Sequence, residues 1–135
     1  MDKFMSLKIL VVDDNPICRQ VLIDLLTDKG WQVATAENGI QALQKCKDKK
    51  FNAVITGFYM PVVDGPHFLR MLKEMEELAQ LPVIMLSTQE QKEVEAQVDF
   101  QLLSLYLRKP LNCDTKRQLV DHLSTLAVAT DDKAA

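Results

Sequence analysis

Three short segments of the sequence carry side chains that could together bind a cation and a phosphate group. They hold the adjacent carboxylates of Asp13 and Asp14, the hydroxyl of Ser87 and the amine of Lys109. Carboxylate oxygens are ligands that Mg²⁺ prefers, and a lysine or a hydroxyl can stabilise the charge on a phosphoryl group. These residue types therefore indicate a phosphate pocket if the fold brings the three segments to one place.

The elements that must position these residues form a regular pattern of short apolar runs and longer helical segments. The apolar runs predict five strands, over residues 7–12, 31–36, 51–57, 82–86 and 102–107. Between them the spacing of apolar residues predicts helices, including a charged fourth helix over residues 90–99. Strands that alternate with helices predict an α/β fold with a doubly wound parallel sheet. The carboxyl ends of such strands meet at one edge, which would gather the acidic pair, Ser87 and Lys109.

The composition narrows the class of protein. The 135 residues are 47% hydrophobic and 26% charged, which is typical of one soluble globular domain. The formal net charge of −3 gives no basic field for a nucleic-acid backbone, so direct nucleic-acid binding is not expected. The apolar runs fall short of the roughly 18 residues that a membrane span needs. We therefore expect a cytoplasmic protein that does not contact a membrane.

The sequence also predicts where the domain ends. A single domain is expected over residues 7–127, because the periodic apolar pattern stops there. Residues 128–135 are small, polar and unpatterned, and are expected to form a flexible tail or a truncated linker. The cysteines have no metal-type or redox-type spacing and are expected to be small, mostly buried apolar side chains in a reducing compartment: Cys18, Cys46 and Cys113.

Several separated motifs resemble one family closely. They are Ile9–Asp14, Ala36–Gly39 with Ala42 and Leu43, Met60–Pro61, Asp64–Gly65, Ser87, Tyr106 and Lys109–Pro110. In this order they resemble the receiver domain of bacterial two-component response regulators, and the resemblance runs from about Leu7 to Leu126. It implies a flavodoxin-like, CheY-like (βα)5 fold with strand order 2-1-3-4-5.

The resemblance implies an activity and identifies a missing residue. In the family, a histidine kinase donates a phosphoryl group to an aspartate at the end of the third strand. The corresponding position, counted back from Met60 and Pro61, is Gly57, which has no side chain. The chain thus resembles a degenerate receiver. We expect a signalling module that is not an enzyme and accepts no phosphoryl group.

The missing carboxylate also affects the metal site that the resemblance implies. In a complete receiver, Mg²⁺ is held by the acidic pair, the acceptor carboxylate and a backbone carbonyl, here that of Tyr59. Without the acceptor, the charges of Asp13, Asp14 and Lys109 sum to −1 instead of −2. We expect no cofactor, or weakly bound Mg²⁺ on Asp14, Asp13 and the Tyr59 carbonyl. Lys109 is expected to turn toward Asp14 or Asp13 and away from position 57.

The resemblance further assigns a switch to Ser87 and Tyr106, which move when a receiver is phosphorylated. A protein partner (a signalling protein, a kinase or an output domain) or a second copy is expected to bind the face formed by helix 4, strand 5 and helix 5. Opposite charges on this face could match across a symmetric pair: Glu90, Glu93, Glu95 and Asp99 against Lys116 and Arg117. The bulky, glycine-free segment over residues 98–103 leaves helix 4 without a usual C-cap, so its end is expected to be shifted or extended.

Two other interpretations stay open. An ordinary receiver with an engineered aspartate-to-glycine change at position 57 would have the same sequence features. A phosphotransfer enzyme with a different nucleophile would need a nearby hydroxyl, which Thr56, Tyr59 and Ser87 provide. None of these hydroxyls has a histidine within its motif to act as a base, and His67 and His122 are expected at surface or boundary positions.

Overall fold

A computed structural model describes residues 6–134 of the chain, with side chains through residue 127. Its centre is one five-stranded sheet in the order β2-β1-β3-β4-β5. The strands are β1 (Lys8–Val12), β2 (Gln32–Ala36), β3 (Ala53–Gly57), β4 (Val83–Ser87) and β5 (Leu105–Arg108). All four strand pairs are parallel. The predicted α/β fold and the strand order are confirmed.

Five helices connect or follow the strands. They are α1 (Pro16–Thr27), α2 (Gly39–Asp48), α3 (Gly65–Glu74), α4 (Gln91–Glu95) and α5 (Cys113–Ala134). The first three begin where a side-chain oxygen accepts a backbone N–H, on Asn15, Asn38 and Asp64. The predicted domain boundary at residue 127 stays a prediction. The predicted tail over residues 128–135 falls on residues whose side chains the structure does not describe.

Two hydrophobic cores cover the two faces of the sheet. Along β1, Leu10 and Val12 point into the first core, which α2 and α3 complete, while Ile9 and Val11 point into the second core, which α1 and α5 complete. The central strands β3 and β4 are buried along their whole length. This burial on both faces is why those runs are apolar throughout and do not alternate with polar residues.

The fourth helix is shorter than predicted. Instead of residues 90–99, α4 covers only Gln91–Glu95, and a short 3-10 helix follows at Phe100–Leu102. The 3-10 helix occupies the start of the predicted fifth strand, so β5 begins at Leu105. The end of α4 is therefore shifted toward the amino terminus and is not extended.

The apolar side chains that follow α4 explain this break. Val94 and Val98 are buried in the first core, and Phe100 packs against the same core. On one continuous helix Phe100 would lie about 120° around the axis from Val94, and so would face away from the core. A new turn solves this problem: the Asp99 side chain accepts the Gln101 N–H at 3.0 Å and starts the 3-10 helix that carries Phe100 inward.

The loop after β3 depends on a glycine at its far end. The Gly65 N–H donates to the Phe58 carbonyl at 2.9 Å, and a Cβ on Gly65 would lie only 2.3 Å from the Gly57 carbonyl oxygen. A side chain at position 65 would therefore push α3 away from the end of β3.

Within residues 6–134, no helix has both the length and the apolar character needed to cross a membrane.

Candidate functional site

A small cavity of about 180 Å³ opens at the carboxyl edge of the sheet, where the sequence predicts a phosphate pocket. The loops after β1, β3, β4 and β5 all contribute to its lining: Asp13, Asp14, Asn15, Phe58, Tyr59, Leu86, Ser87, Thr88 and Lys109. The fold thus brings the acidic pair, Ser87 and Lys109 together from segments that are far apart in the sequence. Tyr59, another predicted site residue, lines the cavity with a largely exposed side chain.

Asp13 and Lys109 form an ion pair at the base of the cavity. The Lys109 Nζ lies 2.7 Å from Asp13 Oδ2, and the Asp13 side chain is almost fully buried. The other carboxylate oxygen, Oδ1, accepts the Asn15 N–H at 2.9 Å. Both oxygens of Asp13 are therefore engaged. Of the two partners expected for Lys109, the structure selects Asp13, while Asp14 is exposed.

The pair also determines the protonation of Lys109. Burial lowers the pKa of this amine, but the hydrogen bond and the negative charge of Asp13 act in the opposite direction and together raise it above its ordinary value. Lys109 therefore stays positively charged at neutral pH. The local charge is that of one buried neutral pair and one exposed carboxylate, Asp14.

Gly57 lies at the end of β3, next to this pair. A Cβ built on Gly57 would lie 3.5 Å from Asp13 Oδ2, which is an ordinary van der Waals distance. The only glycine with a positive φ among the described residues is Gly30, so the backbone conformation at position 57 does not require glycine. Position 57, where the family resemblance places the acceptor, has no side chain, although the surrounding atoms leave space for a Cβ.

The arrangement of these residues does not fit a tightly held Mg²⁺. No group of three or more potential ligand side chains occurs among the residues that the structure describes. Lys109 and the Asn15 N–H already engage the two oxygens of Asp13. Asp14 is then the one carboxylate of the pair that neither bond engages, and a single carboxylate usually holds Mg²⁺ only together with substrate phosphate groups.

The predicted switch residues contact each other through the loop that follows β4. Ser87 is buried, and its Oγ accepts the Gln89 N–H at 3.0 Å. The Tyr106 hydroxyl donates to the carbonyl of the same Gln89, and the Tyr106 ring lies against Phe100. Burial raises the pKa of Tyr106, so its hydroxyl remains a donor at neutral pH.

Sequence reasoning did not single out Gln89 and Phe100 as members of this network. Gln89 takes part through its backbone N–H and carbonyl, so its side-chain type gave no signal. Phe100 did leave a signal, because it lies in the bulky segment over residues 98–103 that departs from the usual small residues of the family. Its effect on Tyr106 required the structure, which places the two ring centroids 5.3 Å apart.

Comparison with known proteins identifies the family. The model of the response regulator receiver domain matches residues 9–123 of the chain. The chemotaxis protein CheY-3 of Vibrio cholerae is 30% identical over 119 residues, which cover 87% of this chain and 92% of CheY-3. The solved structure of the chemotaxis response regulator CheY4 of Vibrio cholerae superimposes with a TM-score of 0.79 at 29% identity, over 87% of this chain and 98% of that one.

Other relatives are longer than this chain. The sensor histidine kinase TmoS of Ectopseudomonas mendocina is 28% identical over 124 residues, which are 92% of this chain but only 13% of TmoS. A probable transcriptional regulator of Porphyra purpurea is matched over 40% of its length. The matched region is therefore a module that occurs both alone and within larger proteins. On the match over residues 9–123, the chain belongs to the response regulator receiver domain family.

Proposed function

We propose that this receiver domain of two-component signalling accepts no phosphoryl group and acts by binding another protein. The observation that carries the proposal is the pairing of Lys109 with Asp13 next to an acceptor position that has no side chain. With glycine at position 57, the end of β3 offers no carboxylate to which a phosphoryl group could be transferred from a histidine. Lys109, which could stabilise a transferred phosphoryl group, is already neutralised by Asp13.

The nearby hydroxyls do not favour the alternative of a phosphotransfer enzyme with another nucleophile. Thr56 is fully buried, and its Oγ1 donates to the Gly57 carbonyl at 3.0 Å. The Oγ of Ser87 is held by the Gln89 N–H. The two histidines are engaged elsewhere, His67 with Asp64 and His122 with Ser104. A general base for either hydroxyl would therefore have to come from a carboxylate or another molecule.

The charges on α5 favour a different protein as the partner over a second copy. Lys116, which is one of the two basic residues expected to match α4 across a symmetric pair, lines a surface groove with Asp24 of α1 and with Asp28, the residue that follows α1. The other of these two basic residues is Arg117. Its Nη1 lies 3.7 Å from Oδ1 of Asp114, an acidic residue of its own helix. We therefore propose a partner protein that brings its own basic side chains to the exposed Glu93 and Glu95 of α4.

The test of the first proposal is phosphorylation by a small donor. The chain is incubated with acetyl phosphate and Mg²⁺, and its intact mass is measured before and after acid treatment. We expect no mass increase for the wild-type chain. The matched variants are Gly57→Asp, which supplies a carboxylate, and Gly57→Asn, which supplies a side chain of equal size without the nucleophile. An acid-stable or acid-labile adduct of one phosphate on the wild-type chain would overturn the proposal.

The same experiment addresses the interpretation of an engineered change. If the glycine replaced an aspartate in an otherwise intact receiver, Gly57→Asp would restore phosphorylation with no second substitution. If the surrounding residues have also changed their roles, as the Asp13–Lys109 pair suggests, Gly57→Asp would be phosphorylated slowly, because Lys109 must first leave Asp13. Adding Mg²⁺ in excess would then speed the reaction by competing with Lys109 for the carboxylate.

A further inference from the structure

Three side-chain hydrogen bonds hold the loop between β4 and α4. The Ser87 Oγ accepts the Gln89 N–H at 3.0 Å, and the Tyr106 hydroxyl donates to the Gln89 carbonyl. Next to them, Arg108 donates through Nη2 to the Thr88 carbonyl at 3.0 Å. The side chains belong to β4 and to its neighbour β5. No atom at the acceptor position takes part in these three bonds, so the loop is held by the sheet itself.

Tyr106 is held at both ends of its side chain. Its hydroxyl is bonded to Gln89, and its ring centroid lies 5.3 Å from that of Phe100 with an angle of 53° between the ring planes. Both rings are partly buried and pack on the first core. An outward rotation would break the hydrogen bond, expose the tyrosine ring and leave a gap beside Phe100. Each of these losses opposes the rotation.

We infer that Phe100 is a positioning residue that locks Tyr106 inward, and that this lock does not depend on what occupies the acceptor position. The 3-10 helix is the element that carries Phe100 to the core, so the shortening of α4 and the lock have one structural origin. The inference goes beyond the proposed function. It states that the surface formed by the β4–α4 loop and β5 has one conformation, whether or not the cavity can be phosphorylated.

The hydrogen bonds of Ser87 support this independence. A hydroxyl can accept one hydrogen bond and donate another at the same time. The Ser87 Oγ accepts the Gln89 N–H, and a hydrogen bond to Tyr106 opposes part of the rise that burial causes in the Tyr106 pKa. Both bonds of Ser87 therefore stay within the β4–α4 loop and β5, and neither involves position 57.

The two tyrosines of the chain allow a direct test by ¹⁹F NMR of the full chain labelled with 3-fluorotyrosine. Tyr59 is 63% exposed and gives an internal reference for an exposed ring. We expect a single Tyr106 signal that is well separated from that of Tyr59 and is unchanged in Gly57→Asp. Phe100→Ala should move the Tyr106 signal toward the Tyr59 position. The matched control, Leu102→Ala in the same 3-10 helix, should leave it in place. Tyr59→Phe and Tyr106→Phe assign the two signals.

Three results would overturn the inference. They are a wild-type Tyr106 signal that is split or coincides with that of an exposed ring, an unchanged signal in Phe100→Ala, or a displaced signal in Gly57→Asp. If Phe100→Ala does not fold, Phe100→Leu keeps an apolar side chain without the aromatic ring, and a partial displacement is then expected. Phosphorylation of the wild-type chain would defeat the proposed function but would not affect the lock, so the two failures are distinguishable.

Discussion

The Nζ of Lys109 lies 2.7 Å from Oδ2 of Asp13, across 96 residues of sequence, at the point where β1 and β5 end. A carboxylate side chain at the end of β3 would compete with Asp13 for Lys109, and Gly57 provides none. It is enclosed, because the Lys109 side chain is 19% exposed and that of Asp13 is 3% exposed. Removing one partner alone should therefore cost more stability than breaking a surface ion pair.

Removing one partner of this pair should destabilise the chain. In Lys109→Met the carboxylate of Asp13 stays buried without its counter-charge, and we expect a loss of about 3 kcal/mol in the free energy of unfolding. The double variant Asp13→Asn with Lys109→Met should recover part of that loss. Urea denaturation followed by circular dichroism measures the wild type, the single variant and the double variant. A loss below about 0.5 kcal/mol in Lys109→Met, the size of an exposed pair, would contradict the expected coupling.

Gly57→Asp should strengthen the binding of divalent cations. The new carboxylate adds a third negative charge next to Asp13, and Mg²⁺ could then displace Lys109 from the pair. We expect Mg²⁺ affinity to rise by roughly tenfold or more, equivalent to about 1.4 kcal/mol. Isothermal titration calorimetry measures the affinity, with Gly57→Asn as the uncharged control. Equal and negligible affinity in wild type and Gly57→Asp would show that the Lys109–Asp13 pair excludes the cation even when the carboxylate is present.

Substitution by alanine should have different effects on stability at Gly57 and at Gly65. At position 57 a Cβ makes only ordinary contacts, so Gly57→Ala should leave stability unchanged or raise it by about 0.5 kcal/mol through the unfolded chain. At position 65 a Cβ would lie 2.3 Å from the Gly57 carbonyl, and Gly65→Ala should cost about 2 kcal/mol or more. Thermal and urea unfolding of the two variants side by side checks the contrast. Similar stabilities would contradict the close approach of α3 to β3.

His122 should make the stability depend on pH. Burial lowers its pKa below the ordinary value of 6.5, and its Nε2 is hydrogen-bonded to the Ser104 hydroxyl. The unfolded chain therefore binds the proton more readily, so the contribution of neutral His122 is complete above pH 6.5 and is lost as the pH falls below that value. The free energy of unfolding is measured by denaturation between pH 7.5 and 5. It should depend less on pH in His122→Gln than in the wild type. The exposed His67, replaced by Gln, serves as the control.

Much of the fold was predictable from local signals. Asn15 followed by Pro16, and Asn38 followed by Gly39, mark helix starts that the structure reproduces. The apolar runs marked all five strands to within a few residues. These features were predictable because each depends on neighbouring residues, such as a capping side chain or a run that must be buried on both faces.

The region after β4 was not predictable in the same way. The charged pattern from Glu90 onward fits a helix of ten residues, but the helix ends at Glu95. The helix stops because Phe100 has to pack against the first core, and the residues of that core lie mostly far away in the sequence. No local sequence pattern predicts this contact. The same applies to the site. The sequence left Lys109 with two possible partners, and only the folded chain, in which Asp13 is buried beside Lys109 and Asp14 is exposed, distinguishes them.

If the proposed function holds, the missing side chain at Gly57 illustrates how an active site can be lost while the fold that carries it is kept. Three carboxylates around a small cavity repel one another, one lysine offsets only part of this repulsion, and a fold that carries them gives up stability for reactivity. With one carboxylate gone, the buried charges balance, and the backbone of β3 needs no rearrangement, since its end tolerates a residue with or without a Cβ. Selection that no longer requires phosphotransfer would therefore meet no energetic barrier at this position. The scaffold and its binding surfaces can then persist, and diverge, after the chemistry is gone.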